Sequence, residues 1–295
     1  MPEVKQRRPD DPTWIGDYRI EGRLGDARQT PVYRATGPYG EAVAIRRLRE
    51  HRAGPAVIEQ IAPARLVTPL CTAQILDVQL NDPFGYVVSE YIDGPSLLEQ
   101  IERNGPMNGI ELQRLAIGTS IALATIHHAG VVHSRLNPAN VVLAEDGARL
   151  VDFAVSQEAV TEDDSSGRGS GTPARSTSGR SQGGPGGDLF AWASIIVFAA
   201  TGRTSRSVES LRSMAATIVA ARNGVAASLV DSLRRVLSPD PALRPSAQQA
   251  LALLFDREAV AVDLSDPTPV LAEAAWLVRA SHLAPTPELY ALGLS

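Results

Sequence analysis

Apolar and polar positions alternate along the N-terminal third of the chain and then follow a helical period over much of the remainder. The runs YRIEGRL from Tyr18, PVYRAT from Pro31 and EAVAIRRL from Glu41 are short and β-rich, with the turn GPYG separating the last two. They predict an antiparallel meander. AQILDVQL from Ala73 and FGYVVSEYI from Phe84 predict another strand pair around the turn at NDPF. Between these groups Pro55 to Leu66 follows a helical pattern that Pro63 should kink or shorten. Beyond Gly94, residues Leu112, Leu115, Ala116, Thr119, Ala122, Leu123 and Ile126 share one face of a helix ending near Gly130. Two short strands, around Val141 to Leu143 and Arg149 to Val151, follow about the turn EDG.

From Ser165 to Gly187 almost nothing is apolar enough to bury, and apolar helices resume afterwards, so this stretch reads as a loop inside a domain. Past Asp188 the chain reads as helices. Leu229, Val230, Leu233, Val236 and Leu237 form an amphipathic face, and Ser246 with Gln249 has capping-box spacing. Strands first and helices after predict an α+β chain with two lobes, a small β-rich one over about 18–92 and a larger helical one over about 93–255. A polar tail, 1–17, precedes them, and a C-terminal extension, 256–295, with prolines and one helix candidate, follows as a partly helical cap on the larger lobe.

Composition narrows the classes. With 295 residues, 44% hydrophobic and 21% charged, the chain is long enough for a sizeable core. A net charge of −5 argues against a nucleic-acid surface, and the basic KQRR near the start reads as a solvated tail. The single cysteine, Cys71, excludes an intramolecular disulfide and an all-cysteine metal site, which fits a reducing, cytoplasmic setting. The most apolar run, LFAWASIIVFAA from Leu189, is shorter than the ~20 residues a membrane span needs, so it predicts a buried helix and no membrane insertion.

The chemistry concentrates in VVHSRLNPANVVLAEDGARLVDFAVS, Val131 to Ser156. Together with VAIR at Val43 to Arg46, SEYIDG at Ser89 to Gly94 and GDLFAWAS from Gly187, it resembles a protein kinase domain, most similar to the bacterial Ser/Thr kinases. The resemblance covers residues 18–255 and implies the bilobal kinase fold, with an activation-segment-like loop over 152–187. It also implies a nucleotide cleft formed by Gly25, Val32, Ala44, Arg46, Glu59, Glu90, Ile92, Asn140, Val142 and Asp152. The implied ligand of this cleft is ATP with Mg²⁺, Asn140 and Asp152 being the metal ligands, or no ligand at all. Backbone groups of Glu90 and Ile92 would meet the adenine edge, Ser89 would stand at the back of the cleft, and Asp188 would brace the catalytic loop.

Several positions depart from the family pattern. Of the three glycines in the phosphate-covering loop only Gly25 remains, with Ala27 and Thr30 in the other places. Arg46 replaces the lysine, and its expected partner is Glu59. Arg135 stands where the family has the aspartate that accepts the substrate proton, and a guanidinium cannot be a base at physiological pH. Asn137 replaces the lysine that steadies the transferring phosphate, and Ala154 follows Phe153 where the family has glycine. Ser178, Gly179 and Arg180 fill the place of the segment-closing A-P-E, so that Arg180 would face Arg244.

The leading expectation is therefore a pseudokinase that works as a regulatory or scaffolding module. Its partner would be a protein, an active kinase or that kinase's target, and nucleotide could act as a signal. Two alternatives stand beside it: a weakly active or atypical Ser/Thr kinase, and a substrate or scaffold phosphorylated in trans on its Ser/Thr-rich loop.

Overall fold

The computed structural model describes residues 4–24, 31–48, 61–67, 71–80, 85–107, 109–153, 184–205, 207–220 and 226–255. Expectations that fall on Gly25, Ala27, Thr30, Glu59, Ala154, the loop through Arg180, or the extension 256–295 lie outside these residues.

The alternating N-terminal segments pair as an antiparallel sheet. Its strands are β1 (Val4–Lys5), β2 (Trp14–Ile15), β3 (Tyr18–Leu24), β4 (Val32–Thr36), β5 (Ala42–Arg47), β6 (Ile75–Gln79) and β7 (Tyr86–Glu90). The order across the sheet is β1-β3-β4-β5-β7-β6, with β2 also paired to β3. Period-two alternation gives the sheet two different faces. Ile20, Tyr33, Ala35, Val43, Ile45 and Val88 are buried together on one of them, with Ile15 and Tyr18 packed against the cluster. Ala44 and Arg46, alternating with Val43 and Ile45, point the other way, toward the second lobe.

The stretch expected as a polar tail supplies β1 and β2, and between them it buries Asp11. The carboxylate accepts from Arg23 Nε at 2.6 Å, from the Arg8 backbone N–H at 2.7 Å and from the Tyr33 hydroxyl at 2.9 Å. The Arg23 hydrogen bond holds the Asp11 carboxyl well below the usual carboxylate range, against burial, which alone would raise it. Burial and the hydrogen bond to Asp11 push the Tyr33 phenol up to about 12. Gln6, Arg7 and Arg8 of the basic run remain exposed.

The second lobe is built on α1 (Leu97–Asn104), α2 (Gly109–His128), α3 (Pro185–Thr201), α4 (Val208–Ala220), α5 (Ala227–Val236) and α6 (Ala247–Leu254). Ser96 with Glu99 and Ser246 with Gln249 close capping boxes at the starts of α1 and α6. The apolar run from Leu189 forms the middle of α3, where Trp192 is fully buried and donates to Thr119 on α2 at 3.0 Å. Among the described residues no helix is long and apolar enough to cross a membrane. The expected helix over Pro55 to Leu66 is described only at its end, where residues 61–64 are helical and turn out of the helix just after Pro63.

A hairpin of β8 (Val141–Ala144) and β9 (Gly147–Leu150) lies against α2. It also joins the chain segment ahead of β6, since Leu150 N–H donates to Cys71 O at 2.8 Å and Ala73 N–H to Leu150 O at 3.0 Å. The chain passes from β7 to α1 through Gly94, whose φ is +152° and whose missing side chain leaves room for the Leu143 carbonyl. A Cβ there would lie 2.3 Å from that oxygen.

Candidate active site

Asp188, in the first turn of α3, is 3% exposed, and its carboxylate reaches the backbone of the loop that follows α2. Oδ2 accepts from His133 N–H at 2.7 Å and Oδ1 from Ser134 N–H at 2.9 Å, while His127 Nε2 lies 2.9 Å from Oδ2. Ser134 has a φ of +61°, a left-handed conformation that costs roughly 1–2 kcal/mol in a non-glycine residue. The two amide bonds on either side of His133 hold the loop in that shape. His133 itself is fully buried, 6.3 Å from the Phe153 ring, and burial pushes its imidazole down toward the neutral form.

The loop then closes on its own side chains. Asn137 caps the short 3₁₀ turn Pro138–Asn140 by accepting from Ala139 N–H at 2.9 Å, and its Nδ2 donates to Arg135 O at 2.8 Å. Where a lysine would project toward a ligand, this exposed asparagine is occupied with the loop backbone. Asn140 Nδ2 donates to the same Arg135 carbonyl at 2.8 Å and lies 3.5 Å from Asp152 Oδ2. A carbonyl can only accept, so this contact fixes the amide with its nitrogen toward Asp152.

Asp152, with a φ of +65°, is the meeting point of the site. Arg46 engages both of its oxygens, Nε with Oδ1 and Nη2 with Oδ2, and the two side chains are only 9% and 10% exposed. Arg135 adds its Nε at 3.5 Å from Oδ2 and is 21% exposed. The residues bridged are 106 positions apart in sequence, on β5 and just after β9. Burial pushes the Arg46 guanidinium down from its ordinary value, opposed by the Asp152 carboxylate. Separating a buried pair of this kind costs roughly 3–5 kcal/mol. The anticipated partner of Arg46, Glu59, lies outside the described residues; the partner on display is Asp152.

This geometry bears on a divalent cation. Mg²⁺ requires converging oxygens near 2.0–2.1 Å with close to octahedral order. Here both Asp152 oxygens face guanidinium nitrogens, and Asn140 turns its donor side toward the same point. Among the described residues no group of three or more His, Cys, Asp or Glu side chains could hold a metal ion. The donor set in this arrangement does not fit Mg²⁺.

The walls of the cleft are less altered. Val32, Ala44 and Val142 are half-buried, and Ile92 is buried where the chain crosses between lobes. Glu90 N–H donates to Gln74 O at 2.8 Å and Ser89 Oγ to Ala44 O at 3.5 Å. Tyr91 lies under the Arg34 guanidinium, 5.0 Å from ring centroid to Cζ, and Arg34 pairs with Glu21. A hollow of about 580 Å³ borders this crossing, lined by residues 90–93, by Ala144, Glu145 and Asp146 of the β8–β9 turn, and by Arg149.

The family model for the protein kinase domain matches residues 18–255. The chain belongs to the protein kinase family. Among curated relatives it is similar to the probable serine/threonine-protein kinase PkwA of Thermomonospora curvata, 33% identical over 268 residues, covering 85% of this chain and 35% of that protein. It is also similar to the serine/threonine-protein kinase AfsK of Streptomyces coelicolor, 34% identical over 215 residues, covering 68% of this chain and 26% of that protein. The chain thus spans about a third or less of the length of these relatives. The crystal structure of Rad53 residues 1–466 in complex with AMP-PNP superposes with a TM-score of 0.61 at 16% identity, over 80% of this chain and 64% of that one. This likeness shows the fold, a β-rich lobe on a helical lobe as the hydrophobic pattern predicts.

Within that fold the structure brings Arg46, Arg135, Asn140 and Asp152 together, and places Val32, Ala44, Ile92 and Val142 on the surrounding elements. Sequence reasoning treated Arg46 and Arg135 as two separate losses. What it missed is their convergence on one carboxylate. The signal was present, because the kinase resemblance already set all three positions around the same cleft.

Proposed function

We propose that this kinase-family chain is a pseudokinase, a cytoplasmic binding module that regulates or scaffolds a protein partner and does not transfer phosphate. The observation that carries this reading is Arg135, which stands at the position of the family's proton acceptor and directs its guanidinium onto Asp152. A permanently protonated group cannot accept the substrate hydroxyl proton. General-base catalysis is worth roughly 10²–10⁴ in rate, and the altered residues at positions 46 and 137 remove further stabilisation. The braced loop, the capped turn and the apolar cleft walls keep a shaped surface, which is what a binding module requires.

The partner is a protein, an active kinase or a target of one, and the Ser/Thr-rich loop over 165–187 is its phosphorylated segment. The competing reading, slow phosphoryl transfer by an atypical Ser/Thr kinase, draws on the retained Asn140 and Asp152. Phosphoryl transition states are loose enough that charge and positioning alone give some turnover. Incubation of the purified chain with γ-³²P-ATP and Mg²⁺ or Mn²⁺ separates the two. The pseudokinase reading predicts no incorporation above that of the Asp152→Ala variant. Incorporation that Asp152→Ala abolishes would establish the kinase reading instead.

A further inference from the structure

We infer that the cleft takes a nucleoside polyphosphate as the free anion, with the guanidinium groups gathered at Asp152 standing where a divalent cation would otherwise stand. The inference rests on the same cleft as the reading above and specifies its ligand. The ion pairs of Asp152 are the first ground. Arg46 spans both oxygens, Arg135 approaches Oδ2 at 3.5 Å, and Asn140 presents nitrogen, held in that orientation by the Arg135 carbonyl. A cation entering here would have to displace a guanidinium from a buried carboxylate and then sit beside two positive charges.

An anion meets the opposite situation. Guanidinium groups offer planar, paired N–H donors that match phosphate oxygens, and at 21% exposure the Arg135 side chain is partly open to solvent. Beside burial, the nearby Arg135 disfavours the charge on Arg46, a repulsion that a bound phosphate would relieve. The other end of the ligand is suited by Val32, Ala44 and Val142, half-buried apolar residues, and by Ile92 at the lobe crossing, apolar groups of the kind a flat ring packs against. Polyphosphate at one end and base at the other is the chemistry of a nucleotide. Mg²⁺, which masks phosphate charge, then brings no gain.

Isothermal titration of the chain with ATP, once in EDTA and once in excess Mg²⁺, tests this directly. The expected affinities agree within about threefold, and Arg135→Ala weakens binding in EDTA by roughly tenfold, the scale of a charged hydrogen bond. Arg135→Lys, which keeps the charge but not the fork, should fall between the two, and a thermal melt of each variant without ligand reports whether it is folded. Tightening of tenfold or more by Mg²⁺ overturns the inference. So does the lack of binding in both buffers, or unchanged affinity in a folded Arg135→Ala. Each of these results leaves the phosphate-transfer assay to decide the non-catalytic reading by itself.

Discussion

Two buried carboxylates flank the loop from His133 to Asn140, and their partners are of opposite kinds. Asp188 accepts from two backbone amides and a histidine ring, groups that define the path of the chain. Asp152 is held by two guanidinium groups, which neutralise the charge it would present to a ligand. The first arrangement works for any member of the fold, active or not, because it positions backbone and touches no ligand. The second replaces what an active site needs most, an available carboxylate, with an internal salt bridge. A protein that keeps one and converts the other has retained the shape of a catalytic loop around a carboxylate that is committed to cations of its own.

The contrast can be broken most severely at Asp188. Alanine there strands the His133 and Ser134 amides in a buried site and releases the left-handed Ser134 from its restraint. Chemical denaturation should show a loss of roughly 4 kcal/mol, a large part of the stability of an ordinary domain. A loss below about 1 kcal/mol would mean that the brace is incidental.

Asp11 sharpens the comparison as an intermediate case, since it takes one guanidinium, one phenol and one backbone amide. Asp11→Ala should cost roughly 2–3 kcal/mol at neutral pH. Because the folded carboxyl is held below its ordinary value of 3.8, its contribution is complete above that value and is lost as pH falls through the lower, folded-state value. Denaturation curves of wild type and Asp11→Ala should therefore converge in acid. A difference that persists unchanged down to the lowest measurable pH would show that packing, not charge, is what Asp11 provides.

How far these features were legible in the sequence depended on the range of the interactions. β3 to β7 announce themselves by alternation, and α2 by the periodic face from Leu112 to Ile126, because burial of one face is written into each segment. The role of Asp188 as a brace was expected from the kinase resemblance, and its geometry agrees with a loop-holding group. β1 and β2 were not legible, since a two-residue strand has no periodicity and depends on β3 for its pairing. Asp11 looked like one more charge in a polar tail, and only Arg23 and Tyr33, on strands that follow, give it a buried place. The pairing of Arg46 was hardest to foresee. It joins residues 106 positions apart and rests on how the lobes bring β5 to the end of β9.

That pairing is also the point on which the account turns. A double-mutant cycle on folding stability with Arg46→Met, Asp152→Ala and the double variant isolates the pair from every other contact that either residue makes. The account predicts a coupling energy of about 2 kcal/mol, because the carboxylate is committed to the guanidinium. A coupling below about 0.5 kcal/mol would contradict it, leaving Asp152 available for a metal ion and the cleft open to phosphate transfer.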